Sequence, residues 1–128
     1  MCGILLSINP EHVENIFAGK KEFEYRKIRC KRNVDKIFIY STHPVMKVVG
    51  EADVVDVLED KPETIWEKTK YKSGINKQFF KNYYESSYIA IAYKLKNIIR
   101  YDKPRELLDF GIRNAPQSFV YIRKEMIS

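Results

Sequence analysis

The chain has 128 residues, of which 45% are hydrophobic and 31% are charged, with few glycines and prolines. This length and composition predict one ordinary globular domain, with a core that needs no disulfide or metal staple. The net charge is +6, and no stretch approaches the roughly 18 apolar residues of a membrane-spanning helix, which excludes that class.

Cysteine and histidine usage argues against a metal site. Cys2, Cys30, His12 and His43 are the only residues of these two types, and they lack metal-ligand spacing. We therefore expect neither a metal nor a cofactor.

The first residues carry no basic leader, and their apolar run is too short for a signal peptide. We expect a soluble, cytoplasmic protein with reduced thiols and no membrane partner.

The charges are unevenly distributed along the chain. Residues 20–36 contain eight basic and three acidic side chains, whereas residues 51–67 contain seven acidic and one basic. Clustered cations can neutralise phosphates and release counterions, so the basic segment favours nucleic acid binding. Such runs are equally typical of a solvated face, and charge alone does not separate the two interpretations.

The first part of the chain predicts a strand, a helix and a second strand. Residues 3–8 form a short apolar run that is typical of a buried strand. Asn9 and Pro10 suit the N-cap and first position of a helix, and Gly19 suits its left-handed end. Residues 22–27 alternate charged and aromatic side chains, which predicts a strand.

The remainder predicts a β-rich chain with short helices. Gly50 lies within a β-branched stretch and suggests a bulge, or a bend that closes a small barrel. The order predicts an α+β fold, a small mixed, mostly antiparallel β-barrel with two to three flanking helices. Strands are predicted at 34–41, 47–58, 88–93, 94–101 and 118–124, helices at 62–70 and 76–85, and one or two helical turns within 103–110.

The stretch GKKEFEYR, residues 19–26, fits the pattern Gly-x-Lys-x-x-Glu-x-Arg through Gly19, Lys21, Glu24 and Arg26. This pattern resembles the motif of the ASCH domain, a β-barrel family similar to the PUA domain. Three other segments resemble the remaining family elements in the right order: residues 5–19, 39–57 and 116–122. The chain, residues 1–128, is therefore identified as a single ASCH domain.

The resemblance implies a PUA-like barrel with a cleft beside the motif strand and a role in binding RNA or other nucleic acids. Some small bacterial members resemble amidohydrolases that act on acetylated cytidine. Their motif has a threonine, the proposed nucleophile, where this chain has Glu24. A carboxylate is a poor substitute, because the acyl-enzyme would be an anhydride. This departure favours a binding protein over an enzyme.

The motif side chains suit a nucleobase or a phosphate. Glu24 and Arg26 are two apart and share one face of a strand, whereas Phe23 and Tyr25 point towards the core. Lys21 lies at the helix–strand junction, from which it can join them. An arginine fork, a lysine charge and a glutamate acceptor match such a ligand. In an enzyme, Lys21 and Glu24 are the catalytic candidates, with Glu24 as general base. A plain ion pair on a solvated face is the alternative.

Ser41, Ser118 and Tyr121 are further candidates for the wall of the cleft. Ser41 begins a polar turn, which turn propensity explains equally well. Ser118 and Tyr121 belong to the segment that resembles the last family strand, and a core position is the alternative for Tyr121. The basic run after the motif is predicted to track phosphates at the rim, with a solvated loop as the alternative. It consists of Lys27, Arg29, Lys31 and Arg32.

Three functional hypotheses follow. The first is a protein that binds RNA or a modified nucleotide in a cleft around Lys21, Glu24 and Arg26. The second is a small hydrolase that acts on a modified nucleobase, such as acetylated cytidine, or on RNA. The third is an interaction module whose acidic segment, residues 51–67, docks a basic protein partner.

Overall fold

The structure is a computed structural model that describes residues 2–126, and it combines six β-strands with three short α-helices. No helix in this part of the chain is long and apolar enough to cross a membrane. The strands are β1 (Gly3–Ile8), β2 (Phe23–Arg26), β3 (Lys36–Ser41), β4 (Lys47–Asp60), β5 (Ala90–Arg105) and β6 (Phe119–Ile122). The α-helices are α1 (Pro10–Phe17), α2 (Pro62–Thr69) and α3 (Lys77–Tyr83).

All six strands belong to one mixed sheet in the order β2-β5-β4-β3-β1-β6. β1 and β3 pair in parallel, and the other four pairings are antiparallel. The sheet forms a half-barrel in which β2 and β6 are the edge strands. The predicted α+β fold, a mostly antiparallel barrel with flanking helices, is confirmed.

The prediction of two strands joined at Lys94 is wrong, because residues 90–105 form the single strand β5. Leu95 is buried between the more exposed Lys94 and Lys96, so the two lysines reflect alternation across the sheet and not a turn. Asn97, at a φ of 53°, and three register shifts against β4 bend this strand. The bent strand pairs with β4 along its length and with β2 near its start.

Gly50 lies where β4 comes very close to its neighbours. The pairing of β4 shifts register near this residue against both β3 and β5. A Cβ atom at Gly50 would lie 2.3 Å from the carbonyl oxygen of Ile99 and 2.7 Å from the ring of Phe17. The missing side chain therefore lets β5 and the end of α1 pack directly on the bend, as the sequence predicts.

The two faces of β2 meet different parts of the molecule. Phe23 and Tyr25 are buried in a cluster that includes Ile65 of α2 and Phe80 of α3. Helix α1 instead buries Val13 and Ile16 in a second cluster, against β1, β3 and β5. The aromatic face of β2 therefore packs under α2 and α3, and its charged face is left beside α1.

Candidate functional site

A cavity of about 190 Å³ lies where the charged end of β2 meets the start of α1 and the first turns of α3. Lys21, Glu24 and Arg26 all line it, so the structure brings the three motif side chains together. The other lining residues are Ser7, Ile8, Asn9, His12, Tyr25, Ile75, Phe79 and Tyr83.

Lys21 is a buried lysine with 2% of its surface exposed. Its ammonium donates a hydrogen bond to the carbonyl of Ser73 at 3.0 Å and lies 4.5 Å from the centre of the Tyr25 ring. A Cβ on Gly74 would lie 2.4 Å from the Cβ of Lys21, so this glycine makes room for the lysine stem. Burial lowers the pKa of Lys21, and the charge of Glu24 opposes this effect while that of Arg26 adds to it.

Glu24, which is buried, forms an ion pair with the partly buried Arg26. The Nε and Nη2 atoms of Arg26 donate to Oε2 of Glu24 at 3.1 and 2.8 Å, and the two side chains are 15% and 8% exposed, arginine first. Within residues 2–126, no hydrogen bond reaches Oε1 of Glu24. This carboxylate is therefore held in place by one oxygen and keeps the other for a donor in the cavity.

Arg26 also connects the two edges of the half-barrel. Its Nη2 atom donates to the carbonyl of Ser7 on β1 at 3.1 Å, and Nη1 lies 3.5 Å from the hydroxyl of Ser118, just before β6. Arg26 itself ends β2, the opposite edge strand. One guanidinium thus orients the cavity carboxylate and bridges the open side of the sheet.

His12 is a cavity residue that the sequence analysis did not select. Its Nδ1 atom is buried and has no hydrogen-bond partner in the described part of the chain, and its ring lies edge-on to Phe79 at 5.4 Å. Burial lowers the pKa of His12, and the charge of Lys21 lowers it further, against the opposite effects of Glu24 and Glu11. An uncharged imidazole with an unused nitrogen therefore lines the cavity at neutral pH.

Phe79 and Tyr83 were also missed. They lie one helical turn apart on α3 and contribute the aromatic part of the cavity wall. The hydroxyl of Tyr83 donates to the backbone carbonyl of Tyr25 at 3.4 Å, and 49% of Phe79 is exposed. The sequence did contain a sign that His12 faces inward, because it lies four residues before the core residue Ile16 and therefore on the same side of α1. No comparable local pattern in α3 indicates that Phe79 and Tyr83 face the cavity.

The three predicted wall residues do not line the cavity. Ser41 is buried at the end of β3, where it pairs with Ile8. Ser118 contacts two cavity residues: its hydroxyl lies 3.5 Å from Nη1 of Arg26, and its carbonyl accepts from the backbone N–H of Ser7 at 3.2 Å. Tyr121 packs against the core, and its hydroxyl accepts a hydrogen bond from the backbone of Arg32 at 3.3 Å, which matches the core alternative.

The four residues of the basic run have different surroundings. The Lys27 ammonium lies 4.8 Å from the ring centre of Tyr83, a residue of the cavity wall. Arg29 pairs with Glu59 at 3.2 Å, and the guanidinium of Arg32 lies 4.3 Å from the ring of Tyr121. Lys31 is exposed. Lys27 and Lys31 are thus the members of this run that are most available to a phosphate.

The acidic segment lies on β4 and α2, and several of its carboxylates contact cations of the same chain. Glu51 accepts from Lys36 at 2.7 Å, Glu59 pairs with Arg29, and Glu67 pairs with Lys70. Docking of a basic protein through residues 51–67 stays a prediction. The ion pairs within the chain leave this segment with less unpaired negative charge than its sequence suggests.

The fold and the site together define a class of protein. A half-barrel of six strands with three helices matches the ASCH fold, which is PUA-like. The ASCH domain family model matches residues 6–105, and the chain belongs to this family. The family assignment made from the sequence is therefore confirmed.

Solved structures support the same assignment. Crystal structures of an ASCH protein from Zymomonas mobilis, including two single-residue mutants, superpose with a TM-score of 0.87 at 26% identity. The match to the third crystal structure, described as ASCH from Zymomonas mobilis, covers 97% of this chain and 90% of that one. A Zymomonas mobilis protein named "ASCH domain-containing ribonuclease" is 29% identical over 94% of this chain and 84% of its own length.

Two Ureaplasma parvum proteins match over a part of their length only. The ATP synthase subunit alpha of this organism is 31% identical over 94% of this chain, which spans 15% of that protein. Its large ribosomal subunit protein uL22 is 29% identical, and the chain spans 39% of it. The chain thus covers less than two fifths of either protein.

Proposed function

We propose that this protein binds single-stranded RNA and that the cavity around Lys21, Glu24 and Arg26 holds one unpaired nucleotide. The observation that carries the proposal is that two cations, one carboxylate with an unbonded oxygen and three aromatic side chains line one cavity. Its volume of about 190 Å³ lies below the roughly 300–1,000 Å³ of sites for drug-sized ligands, which suits a single base.

Each lining group matches a chemical feature of a nucleotide. Oε1 of Glu24 can accept a hydrogen bond from an exocyclic amine, and Arg26 fixes its position before the ligand arrives. Phe79 and Tyr83 offer aromatic surface on which a base stacks. Lys21, whose ammonium lies 4.5 Å from the centre of the Tyr25 ring, supplies positive charge at the cavity wall. Because uracil has no exocyclic amine that could donate to Oε1 of Glu24, we expect bases with an amino group to bind more tightly than uracil.

The cations outside the cavity are proposed to hold the rest of the strand. Lys27 lies beside Tyr83 of the cavity wall, and Lys31 is exposed further along the basic run. Single strands suit this arrangement because their bases can turn out of the stack into a pocket while the backbone follows surface charges.

The test is a fluorescence anisotropy titration of a labelled single-stranded RNA of twelve nucleotides. Lys21→Met keeps the length of the side chain and removes its charge. A hydrogen bond to a charged group contributes about 1.5–3 kcal/mol, so affinity should fall by roughly tenfold to a hundredfold.

Lys68→Met is the matched control for this titration. It removes the same charge from an exposed position on α2 that lines none of the cavities described for residues 2–126. Equal affinities for the two variants, with both proteins folded by circular dichroism, would contradict nucleotide binding in this cavity.

A second candidate function is RNA cleavage, which two observations favour. An uncharged His12 lies in the same cavity as Lys21 and Arg26, and one relative is named a ribonuclease. In this reaction the imidazole takes the proton of a ribose 2′-hydroxyl and the 2′-oxygen attacks the adjacent phosphorus. The bond from phosphorus to the 5′-oxygen breaks, and the imidazolium returns its proton to the 5′-oxygen through a water molecule. The two cations stabilise the negative charge on the phosphate oxygens.

Cleavage is tested with an end-labelled RNA on a denaturing gel. Wild-type protein should release fragments that end in a cyclic phosphate, and a single 2′-deoxy substitution should stop cleavage at that site. His12→Asn should bind RNA and cleave it at least a hundredfold more slowly. Cleavage that persists in His12→Asn would rule out this role for the imidazole.

A further inference from the structure

A second cavity, of about 490 Å³, adjoins the first. His12, Ile75 and Phe79 line both cavities and therefore form the wall between them. Its other lining residues are Glu11, Asn15, Lys20, Gly74 and Asn76. A ligand that fills the first cavity and passes Phe79 would thus enter the second directly.

The second cavity has a different chemistry from the first. One exposed acid, Glu11, and one exposed base, Lys20, line it, so its charges nearly cancel. The Asn15 amide donates to the carbonyl of Gly74 at 3.3 Å, and Oδ1 of Asn76 accepts from the backbone of Phe79 at 2.8 Å. These bonds fix both amides and leave Oδ1 of Asn15 and Nδ2 of Asn76 as one acceptor and one donor for a ligand.

We infer that the second cavity binds the neighbouring nucleotide of the same RNA strand, with the ring of Phe79 between the two bases. This inference rests on the proposed function. A near-neutral cavity with one amide acceptor and one amide donor suits the edge of an uncharged base better than a phosphate. The larger volume accommodates a base with its ribose, and the half-exposed Phe79 offers a ring to each base.

Competition against the labelled twelve-nucleotide RNA tests the inference, with cytidine monophosphate, the cytidine dinucleotide CpC and the trinucleotide CpCpC as unlabelled probes. Stacking of one base on an aromatic ring is worth about 1–3 kcal/mol, so CpC should bind roughly fivefold to 150-fold more tightly than the monophosphate. CpCpC should add little more, because two cavities hold two bases.

Phe79→Leu keeps apolar bulk and removes the ring, so it should reduce the affinity ratio of CpC to the monophosphate to about threefold or less. Tyr88→Leu is the matched control, because Tyr88 is 91% exposed and lines none of the cavities described for this chain. That variant should keep the wild-type ratio. Side-chain amide signals of Asn15 and Asn76 should shift in NMR spectra with CpC and stay in place with the monophosphate.

The outcomes separate this inference from the proposed function. Equal affinities of CpC and the monophosphate, both weakened by Lys21→Met, would overturn the second site and leave the first intact. Failure of all three probes to compete at millimolar concentration, while the long RNA still binds, would overturn both.

Discussion

Arg26→Met should destabilise the fold severely, because it leaves Glu24 buried without its partner. The two side chains are 15% and 8% exposed, and both arginine bonds end on one carboxylate oxygen. Removal of one member of a buried pair costs about 3–5 kcal/mol, which is a large share of the roughly 5–15 kcal/mol that stabilises a typical domain. The bonds to Ser7 and Ser118 across the open side of the sheet are lost as well.

Urea unfolding followed by circular dichroism measures this loss. The double variant with Glu24→Leu and Arg26→Met should recover much of it, since an apolar pair leaves no buried charge behind. Arg29→Met is the matched control, because its pair with Glu59 is 45% exposed on each side and should contribute about 1 kcal/mol or less. If Arg26→Met lowered the free energy of unfolding by less than about 1 kcal/mol, the pair would behave like an exposed ion pair, and its proposed role in holding the open side of the half-barrel would be refuted.

Three more predictions concern the bend, the rim and pH. Gly50→Ala should cost about 1–3 kcal/mol in urea unfolding, because its Cβ would lie 2.3 Å from the Ile99 oxygen; wild-type stability would contradict the tight bend. In RNA titrations, log K for binding falls linearly with the logarithm of the salt concentration, and replacement of Lys27 and Lys31 by alanine should make this slope shallower by about 1.4. An unchanged slope would show that these two lysines do not contact RNA phosphates. The pKa of folded His12 lies below its ordinary 6.5, so the unfolded chain binds the proton more tightly and stability should fall as pH drops below 6.5. As the pH falls through this range, His12→Asn should lose less stability than wild type or the exposed control His43→Asn. Parallel curves of stability against pH for the three proteins would contradict a lowered pKa of His12.

Local signals predicted much of the frame around the site. Asn9 accepts a hydrogen bond from the Glu11 amide as the N-cap of α1, and Gly19 has a φ of 76° where the helix ends. Both depend on neighbours within a few residues, which the sequence displays directly. The alternation in residues 22–27 likewise placed Glu24 and Arg26 on one face of β2.

The features that were missed depend on distant parts of the chain. Tyr83 and Phe79 reach the cavity because the Lys21–Ser73 bridge brings the chain before α3 beside the motif. Arg26 meets Ser7 only because the sheet curls its two edges together. The continuity of β5 through Lys94 was missed because a single lysine between two β-rich runs resembles a turn when its strand partners are unknown. Periodicity reports which face is buried and not what covers it.

A crystal structure of the protein with a bound trinucleotide of single-stranded RNA would show directly whether the cavity holds a nucleotide. We predict one base in the cavity, with a donor within hydrogen-bond distance of Oε1 of Glu24 and its ring against Phe79 or Tyr83. A bound strand that lies along another surface and leaves this cavity without a base would contradict it.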